Sequence, residues 1–138
     1  MHELERLSDL IIEFYEKMSS WEQAVVRDGP ITLPQMHTLE ILGQQSPLRM
    51  KELAATMGVT TGTLTVGIDR LEKLGLVERI PHETDRRSIL VALTKAGQEL
   101  YQEHHTHHLH LTREIQAALT PEETRQFESI LAKLTQVI

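Results

Sequence analysis

The chain's 138 residues suffice for one compact domain with its own core, and 40% hydrophobic, 25% charged and 4% aromatic residues leave that core to Leu, Ile, Val, Ala and Met. The absence of cysteine excludes disulfides, thiol catalysis and thiolate metal sites. No apolar run reaches the roughly 18 residues that span a bilayer, and MHELERLSDL is no secretory leader, so a cytoplasmic protein without a membrane partner is expected. The net charge of -6 is unevenly spread: Leu48 to Lys95 carries eight Lys and Arg against six Asp and Glu, whereas the rest carries six against fourteen, so a locally basic centre lies between acidic ends.

In residues 3–26, Leu4, Leu7, Ile11, Phe14, Met18, Trp21 and Val25 recur at spacings of three and four, which predicts an amphipathic helix. Asp28-Gly29-Pro30 breaks it. Thr32 reads as an N-cap, with Pro34 in the first turn of a short helix that runs through Met36, Leu39 and Leu42 to Gly43. After the Ser46-Pro47 turn, Met50 to Met57 forms a compact amphipathic segment. Gly58 and Val59-Thr60 then lead into a further helix with Leu64, Ile68 and Leu71 inward, ending at Gly75. Two short helices around a Gly-containing turn make a helix-turn-helix.

Beyond Gly75 the period changes. Leu76 to Ile80 and Ser88 to Leu93 have strand composition, and the polar loop Pro81 to Arg87 joins them. A hairpin directly after a helix-turn-helix is a wing. Thr94 caps a long helix to about Leu119, and Thr120-Pro121-Glu122-Glu123 opens a last helix that carries Phe127, Ile130, Leu131, Leu134 and Ile138 on one face. The expected fold is therefore mainly α with a small β-hairpin wing, in a single domain spanning 1–138. Residues 31–94 would form the winged helix-turn-helix. Residues 1–30 and 95–138 carry more apolar helix than so small a unit needs, and are expected to form the dimerisation region of a homodimer.

The run from Met50 to Leu100 resembles the MarR family of winged-helix regulators. The resemblance is carried by Asp69-Arg70-Leu71-Glu72-Lys73-Leu74-Gly75-Leu76-Val77-Glu78-Arg79, by Asp85-Arg86-Arg87-Ser88 in the wing, and by Leu93-Thr94-Lys95-Ala96-Gly97 after it. The order of elements extends the likeness over the whole chain. It implies a transcription regulator, by resemblance a repressor, that binds a palindromic operator in double-stranded DNA, with Asp85 pairing with an arginine to orient the wing loop.

Physical roles for single residues follow from their types and places. Thr60, Thr61, Thr63 and Thr65 open the second helix of the motif, where side chains meet base edges in the major groove, and threonine offers both a hydroxyl and a methyl for thymine. At the wing tip, Arg86 or Arg87 suits a narrow minor groove. Arg49, Lys51, Arg70 and Lys73 are candidate phosphate contacts. Val66 stands where many family members carry a basic residue, so base readout is expected either to be weak or to rely on methyl contacts.

Five histidines fall within seven residues: His104, His105, His107, His108 and His110. On a helix His104 and His108 lie one turn apart, a spacing that lets two imidazoles share one ion. This stretch is similar to the zinc-dependent AdcR-type branch of the same family. That likeness implies a Zn²⁺ cofactor held by Glu22, His37, His104 and His108. The metal would fix the angle between two recognition helices and so raise operator affinity. The cysteine of that branch's second site is missing, and Met36 stands in place of its glutamate.

An enzyme is not expected, since no HExxH motif or Gly-rich serine elbow is present. The alternative reading is a MarR-type repressor released from DNA by a phenolic or other aromatic ligand near Tyr15, Trp21 and Met36.

Overall fold

The heptad-like stripe, the threonine caps and the two β-rich runs all appear as elements in a computed structural model that describes residues 2–85 and 87–138. The order is α1 (His2–Val26), α2 (Leu33–Gln45), β1 (Leu48–Arg49), α3 (Met50–Met57), α4 (Thr61–Lys73), β2 (Val77–Pro81), β3 (Ile89–Leu93), α5 (Lys95–Ala117) and α6 (Pro121–Leu134). The residues cluster into two compact units, Met1–Gln102 and Glu103–Ile138.

The helix starts are set by local chemistry. Thr32 and Thr120 each form a capping box: the hydroxyl accepts from the backbone N–H three residues on, and the side chain of Gln35 or Glu123 accepts from the cap's own N–H. Thr60 caps α4 by accepting from Thr63 N. α3 ends at Gly58, whose φ of 69° is left-handed and therefore suited to glycine.

In the first unit, α2, α3 and α4 pack with the sheet around Leu39, Leu42, Leu53, Ile68, Leu71, Val77 and Val91, all fully buried. Each such side chain contributes roughly 1.5–3 kcal/mol through its burial. Gly43 lets α2 lie directly on the ring of Tyr101, because a Cβ there would come within 2.6 Å of the ring carbons.

The wing sheet has three strands rather than the expected two. Its order is β1-β3-β2, all antiparallel, with Leu48 opposite Val91 and Arg79 opposite Val91 on the other side. β1 escaped the sequence reading because two residues have no detectable period.

Arg79 on β2 ties the sheet to α4. Its guanidinium donates to Asp69 Oδ1 at 2.6 Å and to Glu72 Oε1 at 2.8 Å. The hydrogen bond to Asp69, followed by attraction to Glu72, raises the Arg79 pKa above its ordinary value against the opposing effect of burial. The recognition helix and the wing are thus linked by charge-assisted bonds as well as by the core.

Outside the core, α1 leaves an apolar face open: Leu4 is 71% exposed, Ile11 60% and Tyr15 69%, with Leu7, Ile12 and Phe14 beside them. In the second unit, α6 exposes Ile130, Leu131 and Leu134. No described helix is long and apolar enough to cross a membrane.

Candidate nucleic-acid interface

Helix α4 presents its N-terminal half outward, since Leu64, Ile68 and Leu71 take the inner face. The four threonines there prove to have different duties. The Thr60 hydroxyl accepts from Thr63 N and donates to Thr63 Oγ1, both at 3.1 Å, so it is committed to the cap. Thr65 donates back to the Thr61 carbonyl at 2.7 Å. Thr61 has no intramolecular partner for its hydroxyl among the described residues and is exposed, which leaves it the best placed of the four to meet a base edge.

Val66, 65% exposed, stands on the same helix and offers two methyl groups. Gly67 would find no atom within 4 Å of an added Cβ, and Gly62 only Thr60 Oγ1 at 3.9 Å. Packing does not demand either glycine. Both flatten the outer face of α4, which allows close approach by a large ligand.

The wing begins where β2 and β3 part. His82 N donates to the Ser88 carbonyl and Ser88 N to the Asp85 carbonyl. The Asp85 carboxylate accepts from the Ser88 hydroxyl at 2.9 Å and from Arg87 N at 3.1 Å. Those two bonds, the Ser88 hydroxyl first, hold its pKa below the usual carboxylate value. Among the described residues Asp85 therefore orients the loop through a hydroxyl and a backbone amide. Arg87 is exposed at this tip. Arg86 lies outside the described residues.

The remaining basic candidates divide. Arg49 in β1 and Lys51 in α3 are exposed in or beside the helix-turn-helix. Arg70 and Lys73 sit at the far end of α4, about 15 and about 20 Å along the axis from Thr60 at 1.5 Å per residue. There they line, with Arg27, an open cavity of about 610 Å³ whose wall includes Val26, Ile31 and Leu74. None of the three cations has an ion-pair partner among the described residues. Sequence reading placed Arg70 and Lys73 with the DNA contacts because a linear pattern does not reveal which end of a helix faces a cleft.

The metal candidates are distributed as follows. On α5, His104 is only 2% exposed and His108 half-buried, with their Nε2 atoms 3.0 Å apart and the rings edge to face. His105, His107 and His110 are exposed, and His110 lies 3.7 Å from Glu114. On α1 Glu22 is half-buried. On α2 His37 is exposed, whereas Glu40, one turn later, is half-buried.

Comparison with known proteins agrees with this architecture. Residues 31–89 match the MarR family. The chain is 33% identical over 109 residues, 78% of its length and 68% of the relative's, to the uncharacterized HTH-type transcriptional regulator YfiV of Bacillus subtilis (strain 168). It is 28% identical, over 91% of its length and 84% of the relative's, to the homoprotocatechuate degradative operon repressor of Escherichia coli. Among solved structures, Streptococcus pneumoniae FabT in complex with DNA superimposes with a TM-score of 0.89 at 25% identity, covering 97% of this chain and 96% of that one.

Proposed function

The chain belongs to the MarR family of DNA-binding transcriptional regulators, and we propose that it acts as a homodimeric repressor whose operator affinity is set by a divalent metal, zinc before others. The observation that carries the DNA-binding part is the outward face of α4, with Thr61 and Val66 exposed, beside a wing whose tip carries Arg87. Base edges are read by Thr61 and Val66, with Thr63 and Thr65 alongside. Arg49, Lys51 and the wing arginines Arg86 and Arg87 neutralise phosphate or enter the minor groove.

Dimerisation is supported by the open apolar faces of α1 and α6, which a monomer would leave in water. Two recognition helices related by a two-fold axis match a palindromic operator, with half-sites about one helical turn apart.

For the metal we take the set the family resemblance implies, the imidazoles of His104 and His108 on α5 with Glu22 of α1 and His37 of α2. Imidazole and carboxylate ligands suit zinc chemically. The 3.0 Å between the Nε2 atoms of His104 and His108 is close to the roughly 3.3 Å separating two ligand nitrogens around tetrahedral zinc. Bound zinc would neutralise the Glu22 carboxylate and hold the imidazoles in one tautomer.

A second reading is release from DNA by a small organic anion. It is favoured by the cavity lined by Arg27, Arg70 and Lys73 over an apolar floor. The residues first considered for such a ligand fit less well, as Met36 is buried in the core and Tyr15 is exposed.

The test is fluorescence anisotropy on duplexes selected from a random library, with metal-stripped protein and with added Zn²⁺. Arg87→Ala is expected to weaken binding to every sequence, whereas Thr61→Val alters the preferred sequence. Zinc is expected to tighten operator binding in wild type but not in His37→Ala or His108→Ala. An equal zinc response in all three proteins would refute the metal site and turn attention to organic anions.

A further inference from the structure

The start of the wing contains a histidine whose two ring nitrogens are both met by N–H donors. His82 Nδ1 lies 3.0 Å from Asp85 N and 3.2 Å from Thr84 N, and both of these are N–H donors. The Thr84 hydroxyl is a third neighbour at 3.3 Å. On the other side of the ring, Nε2 lies 3.3 Å from Nη2 of Arg49, a permanent cation reaching over from β1. A backbone amide cannot reverse its role, so Nδ1 presents its lone pair to the two amides; a neutral imidazole then carries its proton on Nε2, facing a guanidinium that also only donates, and that approach is a contact without a hydrogen bond.

We propose that His82, as the neutral Nε2–H tautomer, is the positioning residue of the wing, and that its protonation releases the wing tip and weakens DNA binding. The inference rests on the DNA-binding reading above.

Protonating Nδ1 turns two accepted hydrogen bonds into opposed N–H pairs and places an imidazolium against the Arg49 guanidinium. Among the described residues the charged groups facing His82 are the Arg49 guanidinium from β1 and the Asp85 carboxylate from the loop itself. Glu83 is its exposed neighbour in the chain. Asp85 is already satisfied by Ser88 and Arg87 N, so turning toward an imidazolium would undo the bonds that shape the tip. Either response alters the loop that carries Arg87. His82 also holds the base of the loop through its own N–H to the Ser88 carbonyl at 3.2 Å, so a change at the ring is passed to the first residue of the turn.

The consequence has an unusual sign. Adding positive charge to a DNA-binding protein ordinarily tightens its grip on phosphate. Here a proton gained in the wing costs affinity, because the wing's geometry outweighs one more charge.

The experiment measures Kd for operator DNA from about pH 8 to 5.5, the span over which imidazoles titrate, in wild type and in His82→Asn and His82→Ala. Asparagine supplies an acceptor oxygen that does not titrate there. The expected result is that His82→Asn matches wild type at pH 8 and binds up to about tenfold tighter than wild type at pH 5.5, the factor set by one or two lost hydrogen bonds. His82→Ala is weakened at every pH. Comparing the variants removes the contribution of the other seven histidines, which all proteins share.

Imidazole ¹⁵N chemical shifts of the DNA-free protein at pH 8 give a second readout, independent of DNA. They are expected to show a bare Nδ1 on His82. A protonated Nδ1 at pH 8, or identical pH profiles for wild type and His82→Asn, overturns the proposal. If no protein binds DNA at any pH, the DNA-binding reading fails, and the role of His82 in ordering the tip is judged by whether the Thr84 and Asp85 amide shifts move with its titration.

Discussion

Replacing Gly97 by alanine is the sharpest test of how α5 is anchored to the wing. Glycine in a helix interior normally costs stability, so Gly→Ala there is expected to gain about 1 kcal/mol. At Gly97 the sign reverses. An added Cβ would overlap the carbonyl oxygen of Leu76, come within 3.0 Å of its carbon and lie 3.3 Å from Leu93 Cδ2. The obstacle is backbone and cannot swing aside. The same carbonyl accepts from Thr94 N at 3.1 Å, while the Thr94 hydroxyl donates to the Gly75 carbonyl at 2.6 Å and accepts from Gly97 N at 3.1 Å. Moving α5 away strains this clamp. Overpacking costs about 1–3 kcal/mol and two hydrogen bonds about 1 kcal/mol each, against the helical gain of about 1 kcal/mol. The net expectation is a destabilisation of about 2–4 kcal/mol. Gly67→Ala is the control: its Cβ meets nothing within 4 Å, so it should stabilise by about 1 kcal/mol. Urea unfolding followed by circular dichroism, at matched protomer concentration, reads both changes as shifts of the midpoint. A Gly97→Ala protein as stable as wild type would refute the close approach of α5 to Leu76.

Thr60→Ala is expected to lose about 1 kcal/mol of stability with its cap, whereas Thr61→Val leaves the unfolding midpoint unchanged and shifts base preference in a binding-site selection. Arg79→Ala should cost only about 1 kcal/mol, because Asp69 and Glu72 are largely in water, and calorimetry should show that loss to be constant from pH 6 to 9, since the Arg79 pKa is raised from an already high value and the pair is intact throughout that range. The depressed pKa of Asp85 means that its contribution is complete above the ordinary value of 3.8 and is lost as pH falls through its lower folded value; amide shifts of Arg87 and Ser88 should follow Asp85 only in that acid range. Arg87→Ala should lower the slope of log Kd against log salt by about one per protomer without changing which sequence is preferred.

What the linear sequence determined about this protein is whatever depends on near neighbours. The stripe of α1, the caps at Thr32, Thr60 and Thr120, the left-handed stop at Gly58 and the change of period after Gly75 each involve residues a few positions apart, and each predicted its element to within a few residues. Candidate DNA contacts were legible for the same reason, since an exposed threonine run at a helix start is a local pattern. The tertiary structure decided the matters that turn on distance across the fold. β1 exists only because Leu48 and Arg49 find β3 some forty residues later. Thr61 stands apart from Thr60 and Thr65 only once their hydroxyls are seen to be engaged. Arg70 belongs to a cleft because the α1–α2 turn folds against the end of α4. His82 was an unremarked loop residue until its ring nitrogens were seen to face two amides and a guanidinium. A side chain's type is written in the sequence, but its duty depends on which donors and acceptors the fold brings within about 3 Å of it, and that is a property of packing.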